Sequence, residues 1–282
     1  MITIQGLSFG YRKKRPVLED LTLNLNAGGV YGVLGANGVG KTTFLHLLSG
    51  LLFPQSGRLE VAGSTPARRQ VDFLERVFYV PVAFDLPALR ISAYGDRYAP
   101  FYPKFDRTAW KNALQVFHLQ ETDKINALSF GQKKKVLLSF AFSSGCDLLL
   151  FDEPTDGLDI VSKDGFRRLL AQQAGEQRLA VIATHHVQDI AMLLDHLIIL
   201  QDRGVLLETP IDALTERFRS VVTAQPPAAG STVFSERVPG GYHCVVRNAG
   251  GEEGPLDLEL FYKAVQTHPE LAQHHFRHEK HI

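Results

Sequence analysis

The residues Gly35-Ala36-Asn37-Gly38-Val39-Gly40-Lys41-Thr42-Thr43 constrain this chain more than any other stretch. They spell G-x-x-x-x-G-K-[ST], and their flanks suit the pattern. Val30-Tyr31-Gly32-Val33-Leu34 reads as a buried strand before the loop. Phe44-Leu45-His46-Leu47-Leu48-Ser49 reads as a helix after it, closed by Gly50 and Pro54. A strand, a glycine loop and a helix N-terminus make an anion cradle. Glycines let backbone N–H groups converge on phosphate oxygens where a Cβ would intrude. The helix end adds roughly half an elementary positive charge. From that cradle Lys41 can reach β- and γ-phosphates as a point charge, and the Thr42 hydroxyl can ligate Mg2+.

The 282 residues are 45% hydrophobic, enough for one large domain with an appendage. Thirty basic residues balance thirty acidic ones, so net charge gives no argument for nucleic acid or for an anionic membrane. Cys146 and Cys244 stand far apart with no leader-like N-terminus, and are expected to be buried or free thiols in a reducing compartment. No apolar run approaches the roughly 20 residues that span a bilayer. Any role at a membrane is therefore expected to use a separate subunit.

Residues 2–11 and 17–26 alternate apolar and polar around the basic tip Arg12-Lys13-Lys14-Arg15-Pro16, predicting a β-hairpin with a solvated turn. Residues 56–63 predict another strand, and residues 88–145 turn helical and aromatic-rich. Buried strands follow at Leu148–Phe151 and Ala180–Ala183, with a helix around 162–174 between them. Residues 197–207 predict a terminal hairpin. Buried strands alternating with helices predict a largely parallel sheet covered on both faces, with ligands beyond the carboxyl ends of its strands. Pro226-Pro227-Ala228-Ala229-Gly230 reads as a linker or exposed loop. Beyond it we expect a hairpin over 231–248 and a short helix over 256–265.

Three further segments carry chemistry. The strand Leu148–Phe151 ends in Asp152 and Glu153; Asp152 can hold Mg2+ and Glu153 can accept a proton from water attacking a γ-phosphate. An acidic pair alone is ordinarily a solvated loop, but a metal shared with the phosphate loop needs such a pair. Thr184-His185-His186 ends the next strand, where a histidine can contact the γ-phosphate, orient water or simply cap the strand. Ser129 reads as the N-cap of a helix beginning Phe130-Gly131-Gln132, a second phosphate cradle without a partner in its own chain. It is expected to meet nucleotide bound to another copy. Lys133-Lys134-Lys135 reads as a solvated helix face.

These motifs, in this order over residues 1–215, resemble the ATP-binding subunits of ABC transporters. The resemblance implies an α/β fold: a P-loop NTPase core with a mostly parallel sheet, an N-terminal antiparallel β subdomain and a helical subdomain at about 88–145. It leaves residues 216–282 as a small α+β C-terminal extension. It implies ATP and Mg2+ as ligands. Asn37, Gly38, Gly40, Lys41, Thr42 and Thr43 match the phosphate loop, and Tyr11 the aromatic residue stacked on adenine. Asp152 and Thr42 match the metal ligands, Glu153 the catalytic glutamate and His185 the switch histidine. Ser129, Gly131 and Gln132 match the signature loop, with Phe130 in place of the usual glycine. Thr155 to Asp159 match the loop that crosses a dimer interface. It implies two chains sandwiching two ATP molecules, Ser129 and Gly131 of one closing over the nucleotide on Lys41 of the other.

The implied partners are a second ATP-binding subunit and a multi-span membrane permease docked near residues 82–105, at the cytoplasmic face of the membrane. Phe101-Tyr102-Pro103-Lys104-Phe105-Asp106 resembles a segment of small bacterial subunits paired with efflux permeases, implying export; its aromatics also suit the helical core. The tail after 215, with Asp257-Leu258-Glu259, resembles extensions in that branch. His268, His274, His275, His278 and His281 read as a polar tail rather than a metal site. One departure stands out. The family's glutamine after Tyr-x-Pro is Val82 here, which cannot ligate Mg2+ or hydrogen-bond water. The competing readings are a soluble ATPase of this family acting on nucleic acid or ribosomes, and a weakly hydrolysing regulator. The balanced charge and the lack of a coiled-coil insertion oppose the first, and only Val82 favours the second.

Overall fold

Three five-residue runs, buried at every position, form the centre of the computed structural model: β3 (Val30–Leu34), β6 (Leu148–Asp152) and β7 (Leu179–Ala183). The structure describes residues 1–12, 15–173, 178–225, 230–248 and 254–272. Strands apolar on both faces need cover on both, the condition of a parallel sheet. The strand order is β5–β6–β7–β3–β8–β9, with β5 at Val77–Val80, β8 at His196–Gln201 and β9 at Gly204–Pro210. Every neighbouring pair is parallel except β8 and β9, the predicted edge hairpin. Alternate side chains feed opposite cores. Leu148 and Leu150 join the cluster on one face, Leu149 and Phe151 the cluster on the other.

One face is covered by the helix after the phosphate loop, α1 (Lys41–Leu48), and by an antiparallel sheet in which β1 (Ile2–Phe9) lies between β2 (Leu18–Leu25) and β4 (Ser56–Val61). Ile4, Leu23 and Leu59 share that core with Phe44 and Leu47. Arg12 and Arg15 pair through a backbone bridge at the hairpin tip, and Lys13 and Lys14 lie outside the described residues.

The helical region holds the short α2 (Val71–Leu74), then α3 (Ile91–Tyr98), α4 (Arg107–Val116) and α5 (Phe130–Ser143). Asp106 starts α4 by accepting the N–H groups of Thr108 at 2.7 Å and Ala109 at 3.0 Å. Phe140 of α5 is its aromatic hub. Its ring centroid lies 5.6 Å from Phe78, 5.4 Å from Tyr94, 5.7 Å from Tyr102, 4.9 Å from Phe105 and 5.8 Å from Trp110. The 101–106 segment is therefore divided: Tyr102 and Phe105 are half-buried and pack against the core, while Phe101 is 64% exposed. Between β6 and β7 the chain forms α6 (Ile160–Gln173).

The C-terminal part carries two elements beyond those expected, α7 (Ile211–Arg217), which spans position 215, and β10 (Phe218–Thr223) directly after it. No turn residue separates them, so the sequence pattern conceals the junction. The predicted hairpin is β11 (Thr232–Val238) and β12 (Gly241–Arg247); β12 is the central strand between β10 and β11. The predicted helix is α8 (Leu258–Thr267), capped by Asp257. Phe218, Val245 and Phe261 join the same apolar cluster as α5 and the parallel sheet. Pro226–Ala229 and the histidines at 274, 275, 278 and 281 lie outside the described residues; His268 lies 3.2 Å from the Glu270 carboxylate. Cys146 and Cys244 are free and buried, and burial pushes the Cys146 thiol up to about 12. Among the described residues no helix is long and apolar enough to cross a membrane.

Because five rings lean on Phe140, Phe140→Ala leaves a cavity joining α5 to β5, and should cost about 3–5 kcal/mol in denaturant unfolding.

Candidate functional site

Strand register assembles the site. Val33 of β3 and Asp152 of β6 both pair with Ala183 of β7, and Val80 of β5 pairs with Phe151. Four loops therefore leave the same carboxyl edge side by side: Pro81-Val82, Asp152-Glu153, Thr184-His185 and the phosphate loop.

Gly40 opens α1 with φ 116°, a left-handed conformation that suits glycine, and it offers no side-chain oxygen. The first-turn N–H groups of α1 thus keep their donors for a ligand. Lys41 is only 7% exposed, and its Nζ donates to the carbonyls of Gly35 at 2.7 Å and Ala36 at 3.4 Å. Burial lowers its pKa, while Glu153 and Asp152 act in the opposite direction. Among the described residues no carboxylate comes within ion-pair distance of it. A buried cation held only by carbonyls, beside uncapped N–H groups, suits a polyanion. Tyr11 is 64% exposed, and its hydroxyl lies 3.2 Å from Thr43 Oγ1, tying this aromatic ring to the loop.

Asp152 is 1% exposed. Burial raises its pKa; hydrogen bonds from the Thr42 and Tyr79 hydroxyls act the other way, and neighbouring Glu153 raises it further. Tyr79 donates to Asp152 Oδ2 at 3.3 Å and lies 3.0 Å from His46 Nε2, and burial drives its phenol pKa well up, keeping it a donor. The Thr42 hydroxyl and the Asp152 carboxylate thus supply adjoining hard oxygen donors, the type Mg2+ takes.

Glu153 stands just past β6 with φ 46°, a left-handed conformation uncommon for a side-chain residue. Its N–H donates to the Ala183 carbonyl at 2.8 Å. Its carboxylate accepts Thr184 Oγ1 at 2.9 Å and the His185 backbone N–H at 3.1 and 3.2 Å, and lies 2.8 Å from His185 Nδ1. An ionised carboxylate only accepts, so this contact assigns the proton to Nδ1, and among the described residues Nε2 makes no hydrogen bond. Lys134 corrects the expected solvated lysine face. It is 0% exposed, and its Nζ donates to the Glu153 carbonyl at 2.7 Å and the Asp156 carbonyl at 3.0 Å. It shares the i, i+4, i+7 stripe of buried Leu138 and Ala141, a periodicity that gave the signal. The hydrogen bonds of the Tyr79 and Thr184 hydroxyls to the acidic pair are not legible in the sequence, where both residues stand in segments read for their neighbours.

Ser129, Gly131, Gln132 and Asp159 form a second patch. None of them hydrogen-bonds the phosphate loop among the described residues. Ser129 and Gln132 make a reciprocal capping box on α5: Gln132 Oε1 accepts the Ser129 N–H at 2.9 Å, and Ser129 Oγ accepts the Gln132 N–H at 3.3 Å. A Cβ on Gly131 would meet the Gly157 carbonyl oxygen at 2.6 Å, so glycine lets α5 approach the loop after Glu153. Asp159 caps α6 through Ser162 and pairs with Lys135 at 3.0 Å, which holds its carboxyl well below the usual range. Val82 is exposed, and Asp85 accepts its neighbour Leu86 N–H at 2.9 Å.

The family model described as ABC transporter matches residues 18–156. The bacitracin transport ATP-binding protein BcrA of Bacillus licheniformis is 31% identical over 74% of this chain and 69% of its own. The ABC transporter ATP-binding protein YtrB of Bacillus subtilis is 28% identical over 79% of this chain and 77% of its own. Among solved structures, a dimeric ATP-binding cassette in a post-hydrolysis state with ADP and Pi superposes with a TM-score of 0.66, at 22% identity, over 75% of this chain and 99% of that one. The chain belongs to the ATP-binding proteins of ABC transporters. It is the ATP-binding subunit of such a transporter and an ATPase.

A buried carboxyl with a raised pKa favours its neutral form in the fold. The ligand-free protein therefore loses stability as pH rises from the usual carboxylate range through the raised value, and keeps that deficit at neutrality. D152N removes the charge. In chemical denaturation without Mg2+ or nucleotide it should exceed the wild type in stability near neutrality, and the gap should narrow in acid.

Proposed function

We propose that this chain is the motor subunit of a membrane exporter, in which ATP closes two ATP-binding subunits on one another and the closure moves a separate multi-span permease. The observation that carries this reading is the common register at Ala183, which groups Lys41, Asp152, Glu153 and His185 at one sheet edge. In this reading the α1 N-terminus and Lys41 bind the β- and γ-phosphates and Tyr11 stacks on the base. Thr42 and Asp152 hold Mg2+, which when bound neutralises phosphate charge. Glu153 accepts the proton of the attacking water, and His185, fixed through Nδ1, turns Nε2 to the nucleotide. Val82 supplies no ligand, so metal and water are held without the usual glutamine.

The exposed Ser129–Gln132 patch, which finds no nucleotide in its own chain, supports a sandwich in which it covers the ATP of a second subunit. The likeness to a dimeric cassette supports the same arrangement. Val82 and Phe101, exposed at 38% and 64%, support a permease contact over residues 82–105. The 101–106 segment and the likeness to a bacitracin transport protein support export. The protein then works at the cytoplasmic face of the membrane, with no nucleic-acid partner.

Glu153→Gln tests the reading. Steady-state hydrolysis should fall about 10²–10⁴-fold while ATP binding persists, and light scattering should show an ATP-dependent dimer. Ordinary turnover would remove Glu153 as the base. Lys41→Ala should abolish ATP binding in titration calorimetry, because the triphosphate loses the buried cation of the phosphate loop; retained affinity would refute the cradle.

A further inference from the structure

The histidine beside the switch position has no task in the reading above. His186 follows His185 past β7, and its Nε2 lies 3.3 Å from Asp156 Oδ1. The two imidazole centroids are 3.8 Å apart. One donor atom from each of Asp156, His185 and His186 falls within 4.8 Å of the others. In a tetrahedral zinc shell with bonds of about 2.0–2.1 Å, neighbouring donors stand roughly 3.3 Å apart. The His186–Asp156 pair already has that spacing.

The surroundings match a built site in two further ways. Glu153 Oε1 lies 2.8 Å from His185 Nδ1; in the tautomer that donates from Nδ1 to this carboxylate, Nε2 is the metal-binding nitrogen. A carboxylate behind a histidine that faces outward through its other nitrogen is the outer-sphere support typical of metal-bound imidazole. The backbones are also pinned: the His186 N–H donates to Thr184 Oγ1 at 2.9 Å, the Asp156 N–H to the Glu153 carbonyl at 3.3 Å, and Lys134 holds the Asp156 carbonyl at 3.0 Å. Both histidine side chains are nearly half exposed, 45% and 47%, so an ion can enter from solvent and keep water at an open position.

We propose that Asp156, His185 and His186 form a site for a borderline divalent transition metal of the Zn2+ type, and that filling it arrests ATP hydrolysis. Two imidazoles and one carboxylate suit Zn2+ and exclude Mg2+, which takes oxygen donors. The site is thus chemically distinct from Thr42 and Asp152. A bound ion fixes His185 Nε2, and by the reading of His185 above withdraws it from the nucleotide. The site itself stands apart from that reading; only the arrest rests on it.

The test is calorimetric titration of Zn2+ into the nucleotide-free full chain, in excess Mg2+, for the wild type and H186A. The tail histidines at 274, 275, 278 and 281 are common to both proteins, so the difference reports on residue 186. H186A should lose one Zn2+ per chain or bind it at least about tenfold more weakly. Co2+ should give the intense visible bands of a tetrahedral site in the wild type and lose them in H186A. D156N, which keeps shape and removes charge, repeats the comparison should H186A fold poorly. Equal isotherms in all three proteins would overturn the site. For the arrest, each protein's hydrolysis is referred to its own zinc-free rate. Zn2+ should inhibit the wild type at concentrations that spare H186A. Lost binding in H186A without inhibition of the wild type would overturn the arrest. A wild type without ATPase activity would instead overturn the proposed function, while the isotherms still decide the site.

Discussion

The pairing of Ala183 with both Val33 and Asp152 is the constraint on which the rest depends. A parallel sheet repeats side-chain direction every second residue, so a slip of one position in β6 or β7 would reverse their faces. Leu149 and Phe151 would exchange cores with Leu148 and Leu150, and Asp152 would turn away from Thr42. Packing on two opposite cores thus enforces the alignment that the chemistry uses. The Glu153 N–H extends the ladder by one bond to the Ala183 carbonyl, in a left-handed conformation that costs about 1–3 kcal/mol. The sheet sustains this strain because its central strands are buried at every position between two cores.

The site is also a reservoir of unfavourable electrostatics. Lys41 is a buried cation facing carbonyls, Asp152 a buried acid with a raised pKa, and Lys134 a buried ammonium whose pKa burial lowers. Lys134 is the structural member of the group. Its Nζ clips the carbonyls of Glu153 and Asp156, and so sets the path of the loop between the acidic pair and α6. Among the described residues the other two charges find no ion-pair partner. In the proposed function a triphosphate and a divalent cation would supply the missing charges, and would stabilise the protein on binding by linkage.

Much of this architecture was legible from the sequence because the signals were strong and local. Continuous apolar runs at 30–34, 148–151 and 180–183, each followed by small or polar residues, mark buried strands that end at a site. Glycine and proline mark the hairpins. Other features were hidden for identifiable reasons. Lys134 reads as charge in a lysine run, and only its helical phase betrays burial. Gln132 reads as a ligand by motif, and in its own chain its side chain closes a capping box with Ser129. Asp159 reads as an interface residue and is engaged in its own chain by Ser162 and Lys135. Side-chain hydrogen bonds of this kind depend on tertiary approach, here that of α5 to the loop before α6, which no spacing rule encodes. The α7–β10 junction was missed because a helix passes into a strand without a breaker.

The central claim is that one triphosphate is gripped at the N-terminus of α1 and covered by Ser129 and Gly131 of a second copy. A crystal structure with ATP and Mg2+ tests it most directly. Lys41 Nζ is expected to move from the Gly35 carbonyl to phosphate oxygens, with residues 129–132 of the other copy against the same phosphates. A triphosphate bound with Lys41 still on Gly35, or with residues 129–132 remote from nucleotide in every pairing of copies, would contradict it.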